Sequence, residues 1–309
     1  MAVNEFLIGF LNFLKKLRFK NSRVSKSFIV GVGSPVLGGG GKTEIAFALY
    51  NKLKNLEPFI LMKGYKGIIK RPTIVNTTQH SAKDVGDEAM MIALRGCRVA
   101  ISHDKTEGIK FLEDCSKLII LDDCLQHRST KMNFTVMVLP FDTMDSFSKI
   151  LANKLFPFGF LRDDLFENSN FSDAIVIVSR NCEPYPKEFR KLNFDKPLYF
   201  AHYDFETPDF SEAVVVTSIA RPESFVSALK SRNIKISRHF KFKDHHYFSN
   251  EELTMIERLG LPILTTEKDW VKIAPRTGSP LWKVVRVKTI IENEDNLIRQ
   301  IVNKINTET

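Results

Sequence analysis

Residues 28–50, FIVGVGSPVLGGGGKTEIAFALY, restrict what this chain can become more than any other stretch. An apolar run with strand character leads into a glycine-dense loop closed by Gly41-Lys42-Thr43, and a helical apolar pattern follows. Strand, glycine loop and helix in that order frame a phosphate-binding site. Four successive glycines, Gly38, Gly39, Gly40 and Gly41, permit positive φ and let backbone N–H groups turn inward. Those groups and the helix N-terminus can then hold phosphate oxygens. Lys42 would reach the β and γ phosphates of a nucleotide, and the Thr43 hydroxyl would ligate Mg²⁺. The position five before Gly41 is Val36, and the nearest upstream glycine is Gly33, so the loop is longer than a plain Walker A.

Beyond the loop the chain alternates short strand and helix patterns, the signature of a parallel sheet covered by helices on both faces. Strands are expected over 58–62, 98–102, 118–123, 133–139 and 174–179, with the last closing the first sheet, and a helix over 85–94. Residues 155–164 read as irregular. Pro184, Pro186, Pro197 and Pro208 punctuate a stretch of weak periodicity, so a connection is expected there. The alternation restarts at residue 213, with strands at 214–217, 239–242, 262–265 and 282–287, helices at 222–231 and 250–259, a turn at 267–269 and a last helix from about 295. Ser249 followed by Glu252 predicts a capping box. The expected class is α/β: a phosphate-loop parallel sheet over 28–192, a linker over 193–212 and a second, smaller α/β unit over 213–309.

The run LIILDD over 118–123 can be buried on both faces and stops at two carboxylates. Acids at a strand's carboxyl end lie on the sheet edge that carries the nucleotide, so Asp122 or Asp123 is placed to organise Mg²⁺. Gln126 and His127 follow within a turn, and Asp87 and Glu88 sit at an expected helix start. The adjacent His245-His246 and the rings of Phe240, Phe242, Tyr247 and Phe248 read by themselves as a surface loop beside a packed core.

A net charge of +9 admits anionic lipid, nucleic acid or a phosphorylated substrate as partner. Its placement narrows the choice. Lys15, Lys16, Arg18, Lys20, Arg23 and Lys26 follow the apolar-rich run 6–14, and a basic amphipathic segment over 1–27 favours an anionic membrane surface over nucleic acid. The apolar run is far short of the ~20 residues that span a bilayer. Its charges follow it instead of preceding it, which argues against a signal peptide. Four cysteines without paired spacing argue against a zinc site and a disulfide framework.

Eight stretches in order, VGSPVLGGGGKT, MKGYKG, DVGDEAMMI, IILDDCLQH, LFPFGFLRD, IARPESFVSAL, KDHHYF and LTTEKDWVKI, make the chain resemble the tetraacyldisaccharide 4′-kinases. The resemblance implies two α/β/α domains that close over Mg-ATP. It also implies transfer of the γ-phosphate to the 4′-hydroxyl of an acylated disaccharide 1-phosphate lipid, giving lipid IVA, with the enzyme peripheral at the cytoplasmic face of the bacterial inner membrane. It makes Asp87 the base and His245 its partner. Lys42 and Thr43 hold phosphate and metal, and Asp122 and Asp123 hold metal. The resemblance places Glu88, Lys63, Lys105, Gln126, His127, Arg162 and Asp163 along the substrate edge. The chain departs from the family pattern at Ser34, Gly40, Glu44, Lys63, Lys105, Cys124-Leu125 and Asp163. Arg to Lys at 63 and 105 exchanges a bidentate fork for a point charge. The alternatives are a phosphate-loop NTPase without a lipid acceptor, and a non-catalytic nucleotide-binding protein of the membrane surface.

Overall fold

The computed structural model describes residues 22–127, 129–179, 194–206 and 209–308. Most of the basic segment expected over 1–27, and residues 193, 207 and 208 of the expected linker, lie outside these residues. In chain order the strands are β1 (Phe28–Gly33), β2 (Phe59–Met62), β3 (Thr73–Ile74), β4 (Val99–Ile101), β5 (Leu118–Asp122), β6 (Phe134–Phe141), β7 (Ala174–Ser179), β8 (Leu198–Phe205), β9 (Glu212–Thr217), β10 (Lys235–Lys241), β11 (Ile263–Thr266), β12 (Trp282–Val285) and β13 (Val287–Ile291).

Among the described residues these strands form two sheets, in the orders β13-β8-β7-β6-β1-β5-β2-β4-β3 and β10-β9-β11-β12. The second sheet and the middle of the first are parallel, as continuous apolar runs predict. β1, β2, β5, β6 and β7 are buried along their whole length. Each Val, Ile or Leu so buried contributes ~1.5–3 kcal/mol. One apolar cluster joins the sheets, running from Val30, Ile45 and Val138 to Val215, Leu264 and Val285.

The structure corrects the sequence reading in four places. β7 does not close the first sheet, because β8 continues it in parallel from within the stretch expected as linker. The chain leaves the second sheet after β12, and β13 pairs antiparallel with β8 in the first. The last helix, Glu294–Glu308, follows it there, burying Leu297 and Ile301 and pairing Lys304 with Asp173 at 2.8 Å. The residues after 286 thus belong to the first sheet, although the sequence reading kept 213–309 together. The helix expected over 85–94 is broken at Gly86 (φ 92) into Ala82–Val85 and Asp87–Leu94. A Cβ at Gly86 would lie 2.7 Å from the Tyr65 carbonyl oxygen, so two distant sequence stretches meet there backbone to backbone. The turn expected at 267–269 is the first turn of a helix, Glu267–Ile273, capped by the Thr266 hydroxyl. The capping box at Ser249 and Glu252 forms as the spacing predicts.

Candidate active site

Register alone brings the phosphate loop to the acids: Val32 pairs with Asp122 and Gly31 with Leu121, so residues 34–41 leave β1 at the edge where β5 ends. Gly38, Gly39 and Gly41 take φ values of 64°, 55° and 79°, in the left-handed region that other residues avoid. Gly40 is constrained differently, because a Cβ there would stand 2.9 Å from Ser34 Oγ. Gly41 is the N-cap of helix Lys42–Lys52, and no side chain fills the cap. The first N–H groups of that helix therefore remain for a ligand.

Thr43 Oγ1 donates to Asp122 Oδ2 at 3.4 Å. Asp122 is buried, and burial pushes its carboxyl up to about 6 despite the attraction of Lys42. Its Oδ1 is buried with no hydrogen-bond partner. An orphaned carboxylate oxygen beside a threonine hydroxyl fits Mg²⁺, which takes one or two protein oxygens and completes its shell with phosphate and water. Among the described residues no three His, Cys, Asp or Glu side chains form a ready metal cage.

Asp123 shifts the other way. Burial would raise its carboxyl, but Lys42, Lys105 and Arg162 lower it to about 2. Lys42 Nζ lies 3.3 Å from Asp123 Oδ1, and Arg162 Nη2 donates to the same oxygen at 2.6 Å. The Lys105 ammonium donates to the Asp123 carbonyl. The irregular segment 155–164 is stitched to the phosphate loop, Leu37 N–H donating to the Phe160 carbonyl and Arg162 N–H to the Pro35 carbonyl at 2.9 and 2.8 Å. Arg162 is positioned by that stitching.

His245 Nδ1 meets Asp87 Oδ2 at 2.7 Å and Oδ1 at 2.9 Å, joining the carboxyl edge of the second sheet to the start of helix Asp87–Leu94 in the first. His245 takes φ 61°, and its N–H donates to the Ser218 carbonyl at 2.9 Å. Burial would raise the Asp87 carboxyl, but the His245 hydrogen bond and the Lys268 and Lys272 ammonium groups hold it below the ordinary range. His246 instead pairs with Glu252 at 2.9 Å and stacks on Phe242. Phe248 is buried in the core of the second sheet with Phe240 and Phe242 packed against it, as expected, whereas Tyr247 stays exposed.

These parts surround one cavity of about 590 Å³ between the carboxyl edges of the two sheets. Gly38, Gly39, Gly40, Gly41, Lys42, Thr43, Lys63, Glu88, Asp122, Asp123, Arg162 and His245 line it. Asp87 lies just behind His245 and Glu88. Gln126, His127, Lys105 and Asp163 are not part of the lining and form a layer beside Asp123. Gln126 Nε2 donates to Asp163 Oδ2 at 3.1 Å, and His127 shares a hydrogen bond with Thr130 at 3.1 Å. Burial pulls the His127 imidazole down to about 4, which keeps it neutral there. Cys124, one of the departures, is packed against Gly31, and burial pushes its thiol up to about 12, so it is an inert filler.

Sequence reasoning missed the contribution of helix Glu267–Ile273. Lys268 reaches Glu88 at 3.0 Å and Asp244 at 3.4 Å. Glu267 and Glu44 grip Arg95 from the two sheets, Glu44 at 2.8 Å. Lys268 and Lys272 are four residues apart and would have read as one helical face had 267–273 been read as a helix.

The chain is similar to known proteins over most of its length. A family model described as tetraacyldisaccharide-1-P 4′-kinase matches residues 2–306. The tetraacyldisaccharide 4′-kinase of Methylobacterium nodulans is 31% identical over 269 residues, covering 82% of this chain and 78% of its own. That of Bradyrhizobium diazoefficiens is 30% identical over 266 residues, covering 82% and 76%. A crystal structure of LpxK from Aquifex aeolicus in complex with ATP superposes with a TM-score of 0.77 at 25% identity, covering 98% of this chain and 96% of that one.

Proposed function

Because the chain belongs to the tetraacyldisaccharide 4′-kinase family and is a phosphotransferase of lipid A biosynthesis, we propose that it binds Mg-ATP on the loop from Gly38 to Thr43 and uses Asp87 to receive the proton of the sugar 4′-hydroxyl. The observation that carries this reading is the single cavity lined both by Lys42, Thr43 and Asp122 and by the imidazole bonded to Asp87. Phosphate chemistry and the imidazole that holds the Asp87 carboxylate share one space.

Phosphoryl transfer needs positioning and charge neutralisation more than covalent chemistry. Backbone N–H groups of the loop would hold the phosphates, and Lys42 and Arg162, both anchored on Asp123, would face the charge that develops on the transferred group. When bound at Asp122 and Thr43, Mg²⁺ would neutralise the β and γ phosphates. Asp87, kept ionised, orients the 4′-hydroxyl and takes its proton late, and His245 holds the carboxylate in place. Incubation with labelled ATP and tetraacyl disaccharide 1-phosphate, followed by chromatography of the lipid, tests the whole reading. Label appearing only as free phosphate would return the chain to an NTPase.

The metal assignment predicts that Asp122→Asn raises the Mg²⁺ concentration for half-maximal turnover by ~10–100-fold. An unchanged Mg²⁺ titration would remove Asp122 from the metal site.

The lipid acceptor and the basic N-terminal segment support a peripheral position on an anionic membrane. Among the described residues no helix is long and apolar enough to cross a bilayer. Each basic residue near an anionic surface is worth ~1 kcal/mol and is screened by salt. Neutralising Lys15, Lys16, Arg18 and Lys20 together is expected to release the protein from anionic vesicles in a sedimentation assay. Vesicle binding that survives at low salt would make this segment an ordinary packed helix.

A further inference from the structure

The second sheet holds a lysine that the scheme above leaves unused. Lys272, on helix Glu267–Ile273, has a side chain with 0% exposure. Its Nζ donates to Ser218 Oγ at 2.7 Å and to Asp269 Oδ1 at 3.0 Å, and it stands 3.4 Å from Asp87 Oδ2. Ser218 and Asp269 take hydrogen bonds from the ammonium, and the Asp87 carboxylate is held beside it by charge. A purely structural account would end at Asp269, its partner on the same helix. Asp269, however, is well satisfied without it: its Oδ2 accepts from Ser218 N–H at 2.9 Å and from the Thr266 hydroxyl at 3.0 Å, and its Oδ1 accepts from the Ser218 hydroxyl. Burying an ammonium is costly, and here it brings the charge to a carboxylate belonging to the other sheet.

We propose that Lys272 is a positioning residue for phosphoryl transfer: its ammonium, locked by Ser218 and Asp269, anchors the Asp87 carboxylate by charge from the second sheet. This inference rests on Asp87 being the base. Other charged and titratable groups face Asp87. Glu88 lies beside it on its own helix, His245 and Asp244 follow β10 together with the Tyr247 phenol, and Lys268 shares the helix of Lys272. Lys268 also lowers the Asp87 carboxyl, but from a different position. It lines the cavity, and its charge is divided between Glu88 and Asp244. Lys272 is sealed from solvent, so its attraction on Asp87 is not screened.

The test is the pH profile of kcat for the full-length enzyme at saturating ATP and lipid. An opposite charge within ~4–6 Å lowers a carboxyl pKa by ~1–3 units. Lys272→Met, which removes the charge and keeps the length, is therefore expected to move the acid limb upward by ~1–3 pH units. KM for ATP should stay unchanged, and turnover should recover toward the wild-type value above the shifted limb. Since the single variant leaves two buried carboxylates with one cation fewer, Lys272→Met combined with Asp269→Asn is made alongside it. That pair is expected to keep the wild-type melting curve and to show the same upward limb. A folded variant whose limb does not move, including one that loses kcat equally at every pH, overturns the proposal and makes Lys272 a packing residue. Asp87→Asn separates this from the parent reading. Wild-type kcat in Asp87→Asn would remove the base itself, whereas a kcat loss there with an unshifted limb in the Lys272 variants removes only the anchoring role.

Discussion

Asp87→Asn is expected to leave the affinity for ATP nearly intact while kcat falls by ~10²–10⁴-fold, the range a general base supplies. The side chain is only 3% exposed and is held by His245, by Lys272 and by its contact with the Glu88 N–H at 2.9 Å, so an amide of the same shape has its place prepared. Asn cannot take the proton. The groups assigned to the phosphates, Lys42, Thr43 and the loop glycines, come from other elements and should not sense the change. His245→Ala should produce a loss of the same kind, and the double variant should be little worse than either single one, because residues that act as a unit are not additive. Steady-state kinetics with separate ATP binding measurements decide the matter. A greatly weakened ATP dissociation constant with kcat preserved would make Asp87 a ligand of the metal or nucleotide. His127, whose imidazole burial keeps neutral and which bonds Thr130, would then be the next base to test.

Lys42→Ala is expected to reduce lipid phosphorylation by ~10³-fold or more, the scale of removing a cation that meets developing phosphoryl charge. The fold should survive. Lys42 leaves behind Asp123, but that carboxylate keeps Arg162 at 2.6 Å and the Lys105 ammonium on its own carbonyl, so no buried charge is stranded. A melting curve that matches the unaltered protein, together with lost turnover and weakened ATP binding, is the expected pairing. Near-normal turnover would overturn the assignment of nucleotide to this loop. The contrast with Asp87→Asn is diagnostic, since one residue should act on nucleotide and rate together and the other on rate alone.

Much of the architecture was legible because it is written locally. Glycines that must take positive φ, an apolar strand before them and acids at the end of LIILDD each have a short-range cause, and the parallel register then sets Asp122 opposite Val32. The capping box at Ser249 was legible for the same reason. Errors fell where the local pattern was weak or a distant contact overrode it. β8 is half-buried and alternating, unlike the continuous apolar strands before it, and it follows a proline-rich stretch, so it read as linker. β13 begins two residues after β12 ends, and nothing in the intervening Arg286 announces that the chain changes sheets.

The sequence by itself determined the phosphate loop, the acidic strand end beside it and, through eight ordered stretches, the resemblance to a kinase family. The resemblance also implied the pairing of Asp87 with His245, but only the tertiary structure decided how these and other charges meet. Asp87 and His245 are 158 residues apart and touch because the carboxyl edges of two sheets face one cavity. Asp122 and Asp123 are adjacent in the chain, yet one is pushed up to about 6 by burial while the other is lowered to about 2 by three surrounding cations. Lys272 follows residues read as a turn, and packing sealed it beside Asp87. The physical reason is the same in each case: propensity and spacing act over a few residues, whereas charge state depends on solvent exclusion and on neighbours that folding alone supplies.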